Sequence, residues 1–175
     1  MLPEHLQAEV APLLIVMETL NEQIKAANRR LEELVEGDEL AERLRTVPSV
    51  GPVTVVTFMA TLDHAGRFQN AKQVRSYIGL VPREMSSGER LLRGHITKAG
   101  NRRLRYLLVE AAWGILRHDR SDTAALRGWA ERIAVRRGKR VAAVALARKL
   151  AGILYAMWRD GTRFGEACSP KSSAA

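Results

Sequence analysis

The chain has 175 residues, of which 46% are hydrophobic, and its mean hydropathy of −0.17 describes a soluble globular protein with length for one compact domain and an appendage. No unbroken apolar run approaches the ~18 residues of a membrane span, residues 1–10 lack the basic start of a secretory signal, and the lone Cys168 excludes an internal disulfide and a zinc finger, so no membrane role is expected and the expected setting is the cytoplasm. The net charge of +9 is unevenly divided: residues 1–42 hold ten acidic and three basic side chains, whereas residues 43–175 hold 25 basic and nine acidic, an excess that calls for a polyanionic partner such as DNA or RNA.

Residues 1–37 read as one long acidic helix, regular from about Ala8 to Val35. Leu13, Met17, Leu20, Ile24, Ala27, Leu31 and Leu34 fall on a stripe that approximates an a/d seam, with most charges off it. Pro12 suits only a first turn, so the regular helix is expected to begin at or just before it. A Leu-rich stripe needs cover, either from the rest of the chain or from a second copy through a coiled coil. Gly37 ends the helix, and Asp38 is placed to cap the next one.

Residues 38–164 read as a helical domain. Residues 38–62 have the pattern of a helix-hairpin-helix: a short helix with Leu40 and Leu44, a turn at Val47-Pro48-Ser49-Val50-Gly51-Pro52, and a second helix from Val53 to Leu62. Backbone N–H groups at Gly51, at the second helix's N-terminus, suit a DNA phosphate. A plain αα-corner is the other reading. Residues 63–81 continue as helix, with Phe68, Val74, Tyr77, Ile78 and Leu80 as core and Asn70 as the cap of a helix over 71–78.

Residues 82–100 read as a flexible loop after Pro82. Ser86-Ser87-Gly88 lies in it, and Gly88 can take positive φ, which puts both hydroxyls on a turn. Between Arg83 and Arg105 stand seven basic residues against Glu84 and Glu89. A small nucleophile among cations suits chemistry on phosphate, although a serine turn can equally serve only its own backbone. Asn101 is placed to cap a helix over 102–117, whose first turn is crowded by Arg102, Arg103 and Arg105 where the helix dipole disfavours cations unless an anion is bound. Helices over 123–134 and 141–158 follow, separated by the basic bend Arg136-Arg137-Gly138-Lys139-Arg140, and residues 165–175 read as a disordered tail. No strand alternation stands out, so the fold class is all-α.

Several of these pieces, taken in order, resemble one family. They are Val47-Pro48-Ser49-Val50-Gly51-Pro52, Tyr77-Ile78-Gly79-Leu80-Val81-Pro82, Ser86-Ser87-Gly88, Ile96-Thr97-Lys98, Gly100-Asn101-Arg102-Arg103-Leu104-Arg105 and Leu107-Leu108-Val109-Glu110-Ala111-Ala112. Their order and spacing are similar to the C-terminal domain of the DEDD-type transposases of bacterial insertion sequences, recombinases associated with a bridge RNA. The resemblance runs from Thr46 to Arg117 and less specifically to Trp158, and the long first helix is similar to the coiled coil before that domain.

The resemblance implies that a serine of the loop attacks a DNA phosphate, Ser87 first and Ser86 as the alternate. Arg83, Arg90, Arg93, Lys98, Arg102 and Arg103 would hold the phosphate oxygens. It also implies a preceding RuvC-like domain whose four carboxylates hold Mg2+; the chain as read lacks those carboxylates, so no cofactor or metal is expected on it and it is expected to be inactive alone. The expected partners are DNA, a guide RNA, a separate RuvC-like domain and a second copy of the chain. The competing expectation is a non-catalytic nucleic-acid-binding or assembly module.

Overall fold

A computed structural model describes residues 3–87 and 90–166, with the side chains of residues 4–5 and 84–93 outside that description. Among the described residues there are seven α-helices and one two-stranded hairpin, which bears out the all-α expectation. The helices are α1 (Glu4–Val35), α2 (Glu39–Arg45), α3 (Pro52–Leu62), α4 (Ala71–Tyr77), α5 (Arg102–Arg117), α6 (Ala124–Arg137) and α7 (Lys139–Asp160); β1 (Pro82–Ser87) and β2 (Arg90–Ile96) lie between α4 and α5.

Short polar side chains start the helices where the sequence places them. The Asp38 carboxylate accepts from the Leu40 and Ala41 N–H groups, Asn70 from Lys72 and Gln73, and Asn101 from Leu104. Each satisfies donors that a first turn leaves free, a contribution of about 1 kcal/mol per cap. The Asn101 amide also donates to Thr61 Oγ1 at 3.0 Å, which ties the start of α5 to the end of α3.

The core is built around α7, which packs against α2, α4, α5 and α6. Ala143, Leu146, Ala147, Leu150, Ala151 and Leu154 are fully buried along it. Leu104, Leu108, Ala112 and Ile115 of α5 and Phe58 and Leu62 of α3 complete the same cluster. By length and composition α7 could cross a membrane, but 56% of its most apolar window is buried against the other helices, as befits a core helix. The turn between α2 and α3 plugs the core with Val47 and Val50. Ser49 sits there at φ 65°, so a serine takes the left-handed conformation that glycine usually supplies. It fits because α5 has Gly114 opposite: a Cβ at 114 would lie 2.7 Å from Ser49 Oγ.

Four expectations are corrected. The segment 82–100 is not simply a flexible loop. Its first part is an antiparallel hairpin that pairs Ser87 with Arg90 and Ser86 with Leu91, so both serines belong to a strand and not to a turn. Pro82 is compatible because it is the strand's first residue, where no ladder N–H is needed. Second, α1 begins at Glu4 and runs through Pro12. The carbonyl deprived of its donor belongs to exposed Ala8, where water can replace it. Third, residues 63–81 are not continuous helix, because Asp63 at φ 63° ends α3 and a single 3-10 turn, Ala65–Arg67, precedes α4. Fourth, Tyr77 is 42% exposed and not core; its ring packs on Phe68, centroids 5.3 Å apart. The tail beyond residue 166, Cys168 included, lies outside the described residues.

The hairpin joins the helices through two glycines, each packed against the backbone just before the other. Gly79 (φ 75°) and Gly100 (φ 78°) leave no room for a side chain: a Cβ at 79 would lie 2.0 Å from the Ala99 carbonyl oxygen, and one at 100 would lie 2.0 Å from that of Tyr77. Gly79→Ala or Gly100→Ala is therefore expected to lose about 3 kcal/mol or more in urea unfolding, since positive φ and a backbone collision add. Gly66→Ala, which meets nothing within 4 Å, is expected to stay within about 1 kcal/mol of the parent in the same measurement.

Candidate nucleic-acid interface

The site is built up from the root of the hairpin. Ile78 and Leu80 are buried, which fixes the chain entering β1. The Thr97 N–H donates to the Val81 carbonyl at 2.8 Å and the Lys98 N–H to the Gly79 carbonyl at 3.1 Å, which fixes the chain leaving β2. Arg105, one turn into α5, closes the junction: its Nη1 donates to the carbonyls of Ile78 (3.0 Å), Ala99 (2.7 Å) and Gly100 (3.1 Å). A guanidinium serving several carbonyls is a charge-assisted clamp in a half-buried place. Arg105 is thus structural, whereas its neighbours Arg102 and Arg103 stay exposed in the same first turn.

The expected phosphate ligands divide in two. Arg83 is exposed beside the root, with Nη2 3.5 Å from the Thr97 carbonyl oxygen. Lys98 is exposed at φ 57° on the chain leaving β2, and Arg102 and Arg103 follow within a few residues. The backbones of Ser86, Ser87, Arg90 and Arg93 lie in the two strands, and their side chains are outside the described residues. Gly51 stands apart. It is exposed at the start of α3, while the root is tied to that helix's other end through Asn101 and Thr61, about 16 Å away at 1.5 Å per residue. Its small cleft of about 170 Å³ is lined by Asn28 and Glu32 of α1, and Glu32 is a carboxylate that repels phosphate.

The other side of the root forms a larger feature that sequence reading did not single out. A groove of about 1160 Å³ lies between it and the α6–α7 bend. Arg75 of α4, Trp129 and Arg137 of α6, and Arg140, Arg148 and Lys149 of α7 line it, with Gly94 and His95 on the hairpin side. The hairpin register slips there: Pro82 to Glu84 spans two residues while their partners Ile96 to Arg93 span three, so the irregularity falls on Gly94 and His95. No carboxylate lines the groove among the described residues. Arg75 Nε is buried with no hydrogen-bond partner, and burial followed by the like charge of Arg148 pulls that guanidinium below its ordinary pKa. Lys149 Nζ stands 4.5 Å over the Trp129 ring. The spacing of Arg140, Val144 and Arg148 was a signal available in the sequence, since i, i+4 and i+8 share a helix face; Arg75 joins them only through the fold.

Comparison with known proteins finds one transposase family. The description "Transposase IS116/IS110/IS902 family" matches residues 41–127. That stretch, about half of the chain, is similar to the domain of this transposase family. The chain is similar to a probable family 20 transposase of Pseudomonas aeruginosa, 35% identical over 141 residues, which covers 81% of this chain and 42% of the relative. It is also similar to the transposase for insertion sequence element IS1111A of Coxiella burnetii, 35% identical over 137 residues (78% and 38%). A third relative is the transposase for insertion sequence element IS1328 of Yersinia enterocolitica, 32% identical over 147 residues (84% and 44%). The chain thus spans about two fifths of the length of these curated relatives. The matched stretch of the transposase-family domain takes in the hairpin, its root and α5, and stops before Trp129, Arg137, Arg140, Arg148 and Lys149.

The Arg105 clamp has a direct readout. Arg105→Gln removes the charge and most of the fork, and it is expected to cost about 2 kcal/mol in urea unfolding. Hydrogen exchange locates the effect: the Thr97 and Lys98 amides are expected to lose protection while those of α7 keep it, and uniform loss would contradict a local clamp.

Proposed function

We propose that this chain is the DNA-joining portion of an insertion-sequence transposase, with Ser87, or Ser86 beside it, as the nucleophile. The observation that carries the proposal is the placement of two adjacent serines at the end of β1, opposite Arg90 and Leu91 of β2, on a hairpin locked to α5 at its root, within the stretch matched by the family. A locked root gives the serines a repeatable position, and positioning is a large part of what phosphoryl transfer needs.

In the proposed step the serine Oγ forms a bond to the phosphorus of a DNA phosphodiester. The P–O bond to one deoxyribose breaks, that oxygen leaves with a proton, and the hydroxyl proton of serine passes to solvent or a base. Attack by a second deoxyribose hydroxyl on the phosphoserine reverses these changes and frees the serine. Arg90, paired with Ser87, and Arg93, further along the partner strand, are the cations proposed to hold the phosphate oxygens. Among the described residues no three His, Cys, Asp or Glu side chains come together to hold a metal ion, so the Mg2+ implied by the resemblance does not fit them. Its carboxylate domain and a guide RNA are proposed as partners beyond these residues.

The second reading, a binding module without catalysis, is favoured by the basic groove, which needs no serine. Strand transfer separates the two. With the carboxylate-bearing portion supplied in trans, Ser87→Ala is expected to lower product by more than about 100-fold while DNA affinity stays within about twofold. Equal product from wild type and the Ser86→Ala/Ser87→Ala variant would remove the serine role.

We further propose that α1 pairs with α1 of a second copy. Within the chain, Leu13, Leu20 and Ile24 remain 67%, 56% and 56% exposed, a stripe too long and too apolar to stay wet. The stripe keeps heptad spacing, and a like helix is the partner that such spacing fits. Leu20→Asn with Ile24→Asn is expected to lower the mass measured by sedimentation velocity, and an unchanged mass would contradict the pairing.

A further inference from the structure

We infer that the groove between the hairpin root and the α6–α7 bend holds the sugar–phosphate backbone of the DNA strand that leads to the serines. The inference rests on the function proposed above for the identity of the strand, and on the groove itself for the site. Five cations, Arg75, Arg137, Arg140, Arg148 and Lys149, face one concavity from three helices, and no carboxylate among the described residues answers them. Like charges so gathered repel one another, and a row of phosphates is the partner that relieves all of them together.

The local backbone points the same way. Lys139 and Arg140 occupy the first turn of the 22-residue α7, where the helix's positive end disfavours cations, and that turn has neither an acidic residue nor a side-chain cap. An anion at the bend offsets both costs. Burial fixes the depth: Gly152 of α7 has no side chain because a Cβ there would lie 2.2 Å from Arg75 Nη2, so the helix makes room for a guanidinium at the groove's base. The opposite wall is Gly94 and His95, on the strand that pairs with the serine strand. A strand lying in the groove therefore passes the foot of the hairpin that carries Ser86 and Ser87.

The test is a salt series in which the 175-residue chain binds labelled single-stranded DNA, duplex DNA and RNA of one sequence. Exposed Arg137 and Arg140 are replaced together by Gln. The slope of log affinity against log salt on DNA is expected to become shallower by about 1.4 for a single strand and about 1.8 for duplex, two phosphate contacts' worth. Arg137→Lys with Arg140→Lys keeps both charges and is expected to restore the slope. The single Gln substitutions, each expected to remove about half the change, serve if the pair weakens the fold. An unaltered DNA slope overturns the inference, and so does a slope lost on RNA alone, which makes the groove an RNA site. Ser87→Ala is run beside them. If it leaves strand transfer intact while the Gln pair still loses slope, the serine proposal falls and the groove stands; the opposite pattern removes the groove and leaves the serines.

Discussion

Three backbone carbonyls, those of Ile78, Ala99 and Gly100, converge on one guanidinium nitrogen of Arg105, and the rest of the candidate site depends on that convergence. The carbonyls belong to chain segments that come together only because Gly79 and Gly100 have no side chains. Removing either glycine opens the junction sterically; removing the cation leaves carbonyls in a half-buried place without a donor. The hairpin gains little from the helices along its length, since β1 and β2 contact each other far more than any helix. Its orientation is therefore set at the root, and α5 transmits it from the core.

That geometry sorts the basic residues by what they do. Arg105 holds the fold. Arg83, Lys98, Arg102 and Arg103 are exposed around the root. Arg75, Arg137, Arg140, Arg148 and Lys149 face the groove on its other side. Of the acidic residues of α1, Glu32 lines the cleft beside Gly51 at the start of α3. A chain with a net charge of +9 thus joins a basic body to an acidic arm, and the groove lining holds no carboxylate among the described residues.

Much of the helical frame was legible, because local chemistry decided it. Asp38, Asn70 and Asn101 cap the helices they were expected to cap, and α5 runs from Arg102 to Arg117 as its stripe and cap required. The hairpin was not legible. Its strands carry no apolar–polar alternation, so nothing with period two marked them, and their pairing is a cross-strand fact. The exchange of roles between Arg105 and its two neighbours was hidden for a similar reason, since only the partner carbonyls distinguish them. The groove was half visible: the bend at Gly138 and the face of Arg140 and Arg148 are in the sequence, but Arg75 reaches them from α4 through a gap left by Gly152.

The account stands most directly on which residue carries the DNA after cleavage. Trapping the joined intermediate, digesting it with trypsin and fragmenting the nucleotide-bearing peptide identifies that residue. The account predicts the peptide from Glu84 to Arg90, with the phosphate on Ser87 or Ser86. A nucleotide found on any other side chain, Tyr77 or Tyr106 for instance, would contradict it.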